Sequence, residues 1–415
     1  MGRDYQVHSA AVSPRIQLAW LSLAMVLGMT LWFSATAANG QIVREFGLSA
    51  ASTAWLTMAV QGGFVAGTLA SAMLNLPDVI NSRRLVHIGC LAGAAANAGL
   101  VLAGGAASII TLRVLTGAAL ACVYPPGMKI AAGWFDRRRG AALGVLIGAL
   151  TVGSAFPHLL AAASAAVPWR VLMLIASTFA IIGGGIVKAC VSDGPFVAST
   201  APFDPSAVAR VFRDPDTRRA TLGYLGHMWE LYAMWTWIAA FAAASFGAAA
   251  ASGAPPTSAQ GSAAAFLAIA SGAAGSVAAG FLADRIGKAR IAALSLVASG
   301  ICCVAAGFVF GAPAPIVFAF VAVWGVAVVA DSAQLSALVA QYSPRDHVGT
   351  ALTVQTCAGF LLTMASIRLL PVAAQVLGWR WVFLVLAPGP IGGVVALRRL
   401  LAAPAARPQT APSPS

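Results

Sequence analysis

Apolar residues run along this chain in stretches of about twenty, each long enough to cross the hydrocarbon core of a bilayer, with short polar gaps between them. Twelve such stretches are read, at 16–38, 51–75, 85–104, 107–130, 141–163, 169–190, 221–246, 260–283, 290–310, 315–340, 349–375 and 380–400. A helix apolar on every side has no face for water. The pattern therefore predicts an all-α polytopic membrane protein of twelve transmembrane helices. The first stretch, at 23 residues, is too long for the apolar core of a cleavable signal and is expected to remain as helix 1. One gap, 191–220, is longer than the rest and rich in Pro, Asp and Arg. It separates an N-terminal six-helix bundle, 1–190, from a C-terminal one, 221–401. The Pro- and Ala-rich tail, 402–415, is expected to be disordered.

Basic residues sharpen this picture. They fall in every second gap: Arg83, Arg84, Lys129, Arg137 to Arg139, Lys188, Arg210, Arg213, Arg218, Arg219, Arg285, Lys288, Arg290 and Arg345. The tails add Arg3, Arg15, Arg398, Arg399 and Arg407. The other gaps hold Arg44, with Arg170 and Arg380 at span starts. Lys and Arg accumulate on the cytoplasmic side of membrane proteins. Both termini are accordingly expected in the cytoplasm, and the chain in a bacterial inner membrane. Its net charge of +13 then meets anionic membrane lipids and no nucleic acid. Only 9% of residues are charged, against about 25% in a soluble domain.

Other chemistry is sparse. The six cysteines lie in or beside apolar spans without metal-ligand spacing. The five histidines are scattered, and no phosphate-binding loop of the Walker type occurs. No cofactor, no metal and no enzyme activity are expected. One chain supplies both halves, so a monomer is expected.

The two halves repeat. Val167-Pro168-Trp169-Arg170 opens span 6 and Leu377-Gly378-Trp379-Arg380 opens span 12, 210 residues later. Arg139-Gly140-Ala141-Ala142-Leu143 opens span 5 and Val348-Gly349-Thr350-Ala351-Leu352 opens span 11, 209 later. Asp78 follows span 2 and Asp284 follows span 8, 206 later. Repeats about an axis along the membrane normal put a cavity at their interface, near the midplane.

Between spans 8 and 9 stands Gly280-Phe281-Leu282-Ala283-Asp284-Arg285-Ile286-Gly287-Lys288-Ala289-Arg290. Gly287 permits a tight turn. Asp284 suits the positive end of a neighbouring helix. Arg285, Lys288 and Arg290 suit lipid phosphate. The segment resembles the loop signature of the major facilitator superfamily, and the twelve spans, the central loop and the half-repeat fit that resemblance along nearly the whole chain. Arg113 with Gly117 in span 4 is similar to a second motif of that family. Trp134-Phe135, before Arg137 to Gly140, looks like its usual helix 4–5 turn. The first-half copy, Leu76 to Arg84, keeps Asp78 and the pair Arg83-Arg84 but lacks the glycine. Span 5 lacks the Gly-Pro pattern of the family's drug antiporters. The resemblance implies a secondary transporter in which Gly280, Asp284, Arg285, Gly287 and Lys288, and more weakly Asp78, Arg83 and Arg84, form a conformational latch.

Charge at membrane depth is costly and marks function or a paired partner. Arg113, Glu230, Asp331 and Arg368 lie inside spans, joined by His158 and His227. His227 and Glu230 are three apart in span 7 and share a helix face, so the two could share a proton. Asp331 and Gln334 share a face in span 10, as a coupling site or as part of a fixed salt bridge. Glu230, His227 and Asp331 are the proton-coupling candidates. Arg113, Gln61, Gln334, Tyr232 and Arg368 are the substrate-cavity candidates. His158, beside Pro157, reads as structural.

The expected function is alternating-access transport of a small molecule, coupled to protons. Buried arginines allow an organic anion as substrate; the aromatic span 7 allows a hydrophobic or cationic compound, in efflux. A transporter-like scaffold or sensor without flux is the reading from another class.

Overall fold

The computed structural model describes residues 13–136, 139–163, 167–196, 203–250 and 258–402. Arg137 and Arg138, residues 251–257 between spans 7 and 8, and the tail beyond Ala402 lie outside them. Ten helical stretches among these residues are long and apolar enough to cross a membrane. They resolve into twelve crossings for two physical reasons. The stretch Arg345–Leu401 has 57 residues, about 85 Å as one helix, far beyond the ~30 Å of hydrocarbon. Gly378, at φ 69°, breaks it. The first crossing is itself interrupted, which leaves Pro14–Met29 too short to qualify alone.

The crossings are α1 (Pro14–Met29, then Ser34–Ala37 and Asn39–Phe46), α2 (Ala50–Met73), α3 (Ser82–Gly99) and α4 (Ala106–Leu120, then Tyr124–Trp134). Next come α5 (Arg139–Ala163), α6 (Trp169–Cys190), α7 (Pro215–Ala249), α8 (Ser258–Ile286) and α9 (Lys288–Val309). The last are α10 (Ala314–Val329, then Ser332–Tyr342), α11 (Val348–Trp381) and α12 (Pro388–Ala402). α7 starts six residues before the apolar pattern does. Asp214 caps it, its Oδ1 accepting from the backbone N–H groups of Asp216 and Thr217 at 3.0 and 2.7 Å, and Pro215 suits the first turn. The break in α4 follows from Pro125 and Pro126, which open its second piece and lack N–H donors.

The repeat extends to the packing. α1 packs on α5 and α6 as α7 packs on α11 and α12; α2 pairs with α4 as α8 pairs with α10; α3 pairs with α6 as α9 pairs with α12. Gly117 lies against the Val60 carbonyl and Gly325 against the Ala268 carbonyl, both members shifted by 208 residues. A methyl group at either glycine would enter the carbonyl's van der Waals shell, so helix contact here requires glycine. The halves meet along α5 with α8 and α2 with α11. Ser276 Oγ donates to the Gly144 carbonyl at 3.0 Å across that boundary. Gly287, at φ 96°, makes the tight turn between α8 and α9.

Candidate functional site

The interruption of α1 is the first element of the site. No Pro or Gly lies between Met29 and Ala38, so the backbone does not break there by local preference. Arg113 from α4 holds it open. This guanidinium, fully buried, donates to the carbonyls of Leu31 at 3.0 Å and Leu56 at 3.1 Å, and to Trp32 O. It also reaches Ser34 Oγ at 3.2 Å and Asn97 Oδ1 at 3.3 Å. Irregular backbone is tolerated at membrane depth only where its freed groups are satisfied again; Arg113 supplies that satisfaction for the α1 carbonyls. The expectation that Arg113 lines a substrate cavity is therefore corrected: its donors are consumed inside the N-terminal half.

The opened turn presents Trp32 and Phe33 to the other half. Trp32 lies 5.7 Å from Tyr232 and 5.6 Å from Phe360, centroid to centroid. Phe33 lies 5.9 Å from Trp235, and Phe64 lies 4.6 Å from Phe360. An aromatic junction thus joins α1 and α2 to α7 and α11. Beside it is a cavity lined by Met29, Tyr124, Ser154, His227, Tyr232 and Ser336, among others. It leaves about 60 Å³ for the centres of water-sized spheres, room for a few waters. Any larger solute requires the halves to move apart.

The C-terminal half holds the acids. Glu230 is fully buried; its Oε1 accepts from Trp324 Nε1 at 2.7 Å and its Oε2 from Ser299 Oγ at 2.8 Å. His227 turns to α10 instead. Its Nδ1 lies 2.8 Å from Asp331 Oδ1, an ion-pair contact without hydrogen-bond alignment, and its Nε2 is 3.0 Å from Ser332 Oγ. A direct His227–Glu230 pair is thus replaced by two sites: a capped acid in the bundle, and a His–Asp pair of which His227 lines the cavity and Asp331 lies buried behind it. The i, i+3 spacing put both side chains in one region, but partners on α9 and α10 separated them.

Of the five substrate-cavity candidates, only Tyr232 lines the cavity. Gln61 is fully buried with both amide atoms unpartnered. Gln334 is buried in the second piece of α10, away from the lining. Arg368 is exposed on α11 and is not among the residues that line the cavity. His158 has no hydrogen-bond partner on either ring nitrogen and packs 6.2 Å from Phe33. The sequence reading missed Trp32, Phe33, Trp324, Ser299 and Asn97. Asn97, a polar residue inside an apolar span, was the available signal.

The loops divide unequally. Asp284 Oδ1 lies 3.7 Å from where a Cβ on Gly140 would stand, at the start of α5 in the other half; Arg285 beside it is exposed. Asp78 pairs with Lys129 at 2.5 Å within its own half. Arg83 binds the Asp193 carboxylate, 3.0 Å from Nε and 2.8 Å from Nη2, also within its half, so it does not bridge the halves. Arg84 is exposed. Burial raises the Asp193 carboxyl, but hydrogen bonds from Arg83 and Asn81 outweigh it and hold the group below its ordinary range. On the opposite face, Glu45 accepts from Arg170 at 2.5 and 2.9 Å and from Trp169 Nε1 at 2.7 Å. The Arg170 hydrogen bonds, with that of Trp169, hold Glu45 below its ordinary range.

Two six-helix repeats with a small cavity between them make a multi-pass membrane protein. The family model described as Major Facilitator Superfamily matches residues 21–258 and 249–415. The chain belongs to that family of secondary transporters. No curated protein matches it.

Proposed function

We propose that the protein moves a small, largely apolar solute, neutral or singly cationic, by proton-coupled alternating access. One observation carries this reading: among the described residues, no arginine or lysine lines the cavity. Arg113 is spent on backbone carbonyls and Arg368 is exposed on α11. What remains on the wall is aromatic rings, methionines, aliphatic side chains and hydroxyls, with His227 as the one titratable imidazole among them, a lining that favours a hydrophobic compound over a small organic anion.

Coupling falls to Glu230 and the His227–Asp331 pair. His227 is the member that touches both cavity and acid. A proton delivered from the cavity changes the charge of the α7–α10 contact, and with it the balance between the two arrangements of the halves. The turn at Asp284 and the α5 start act as the latch on the basic face, which the Lys and Arg distribution assigns to the cytoplasm. Reconstituted protein under an imposed pH gradient tests the reading with tetraphenylphosphonium, a neutral nitroaromatic amide and benzoate. Gradient-driven movement of the cation or the neutral probe is expected. Movement of benzoate alone would overturn the substrate assignment, and movement independent of the gradient would overturn the coupling.

A further inference from the structure

We propose that the corner formed by the basic-face ends of α8, α9 and α12 binds one anionic phospholipid of the adjoining leaflet. Arg285, Lys288 and Arg290 line a pocket there of about 420 Å³, together with Gln341, Tyr342 and Leu401. Arg398 and Arg399 are exposed at the same end of α12. Among the described residues, none of the three lining cations has a carboxylate within ion-pair distance. Lys288 Nζ reaches only the neutral Gln341 Oε1, at 3.4 Å. The first turn of α9 forms part of the wall, and its N-cap, Gly287, has no side chain to accept from the turn's N–H groups. Uncapped N–H groups beside cations are a phosphate-binding arrangement. Asp284 also lines the pocket; its Oδ1 lies 3.7 Å from where a Cβ on Gly140 would stand, and it forms no ion pair with the three cations.

The repeat supplies an internal control. The equivalent corner of the N-terminal half holds Arg83, Arg84 and Lys188. There the chain provides its own anion. Asp193, three residues beyond α6, takes the Arg83 guanidinium and the Asn81 amide, the latter at 2.9 Å. Asn81 also caps α3, accepting from Arg83 N at 3.0 Å. The C-terminal half has no acid in the place of Asp193: no Asp or Glu follows Asp346 anywhere in the sequence, and Asp284, though it lines the pocket, pairs with none of its cations among the described residues. The cations are repeated and the ion pair is not.

The occupant is a lipid and not a free anion because an apolar groove runs between the same two helices, α9 and α12. Leu296, Val297, Gly300, Pro390 and Val394 line its course between α9 and α12, in a space of about 620 Å³. Its near end is eight residues beyond Lys288, about 12 Å along the helix, within the ~15 Å depth of one leaflet's hydrocarbon. A phosphate at the corner leaves an acyl chain lying in that groove. Anionic headgroups in basic pockets between transmembrane helices are the expected chemistry.

The test compares purified full-length protein in discs of phosphatidylcholine with and without phosphatidylglycerol. Amide exchange at residues 287–291 is expected to slow several-fold with phosphatidylglycerol, while residues 81–85, where Asn81 caps the helix and Asp193 already holds the Arg83 guanidinium, stay unchanged. Native mass spectrometry is expected to find phosphatidylglycerol retained by the wild type and by Arg84→Gln, and lost from Lys288→Gln/Arg290→Gln. Equal exchange at 287–291 in both discs would overturn the proposal. So would equal protection by inorganic phosphate in phosphatidylcholine discs, which would mark a free-anion site. The exchange comparison uses the wild type alone and decides the matter even if the double variant does not fold.

Discussion

Replacing Arg113 with methionine separates a structural bracket from a substrate ligand. The side chain makes five hydrogen bonds, three of them to the carbonyls of Leu31, Trp32 and Leu56. Methionine fills similar space without donors. Each buried carbonyl left unpaired costs about 1–3 kcal/mol. Ser34 Oγ continues to donate to Leu31 O at 3.0 Å, and Leu56 O, inside the unbroken α2, keeps its bond within the helix, which leaves Trp32 O as the orphaned carbonyl. The expected loss is therefore roughly 1–3 kcal/mol, enough to loosen the α1 turn and displace Trp32 and Phe33 from the junction. Arg113→Lys keeps the charge, but a single ammonium cannot span carbonyls on α1 and α2, so an intermediate loss is expected. Thermal unfolding of the purified variants, followed by tryptophan fluorescence, reads the result: a drop of several degrees for methionine and less for lysine. A methionine variant as stable as the wild type that has lost transport of an anion would refute the bracket and restore Arg113 as a ligand.

Further outcomes follow from the same geometry. Glu230→Gln should abolish accumulation driven by a pH gradient while solute exchange without net proton movement continues; accumulation at the wild-type rate removes Glu230 from coupling. A cysteine pair at Ala141 and Gly280, in a background without native cysteines, should oxidise readily. The Gly280 Cβ position is 3.3 Å from the Ala141 Cα, within disulfide reach. The cross-link should stop transport until reduced, and full transport by the linked form would show that α5 and α8 need not part there. Gly117→Leu or Gly325→Leu should prevent folding, because the facing carbonyls of Val60 and Ala268 leave no room for a side chain; normal yield of either would contradict the close approach. Glu45 has a lowered pKa, so its bracket to Arg170 and Trp169 is intact above the ordinary carboxylate range and is lost as pH falls through the depressed value. Amide exchange over residues 39–46 should rise only in acid, and a rise already near neutral pH would count against the bracket.

The sequence by itself determined the class, the number of crossings and the repeat. A bilayer applies a one-dimensional rule to each segment. Twenty apolar residues cross it, and Lys and Arg gather on one side, so spans such as 260–283 and 290–310 were legible without knowing their neighbours. The Gly287 turn was legible for a similar reason, since its backbone requirement is local. Boundaries failed where polar caps extended a helix, as Asp214 did for α7. The partners of the buried charges were decided by tertiary structure alone. Arg113 reaches across 82 positions to Leu31, and His227 across 104 to Asp331, while Glu230 passes over its helix neighbour for Ser299 and Trp324. A helix face fixes which direction a side chain points. Which carbonyl or acid waits there depends on how distant helices pack, and no local pattern records it.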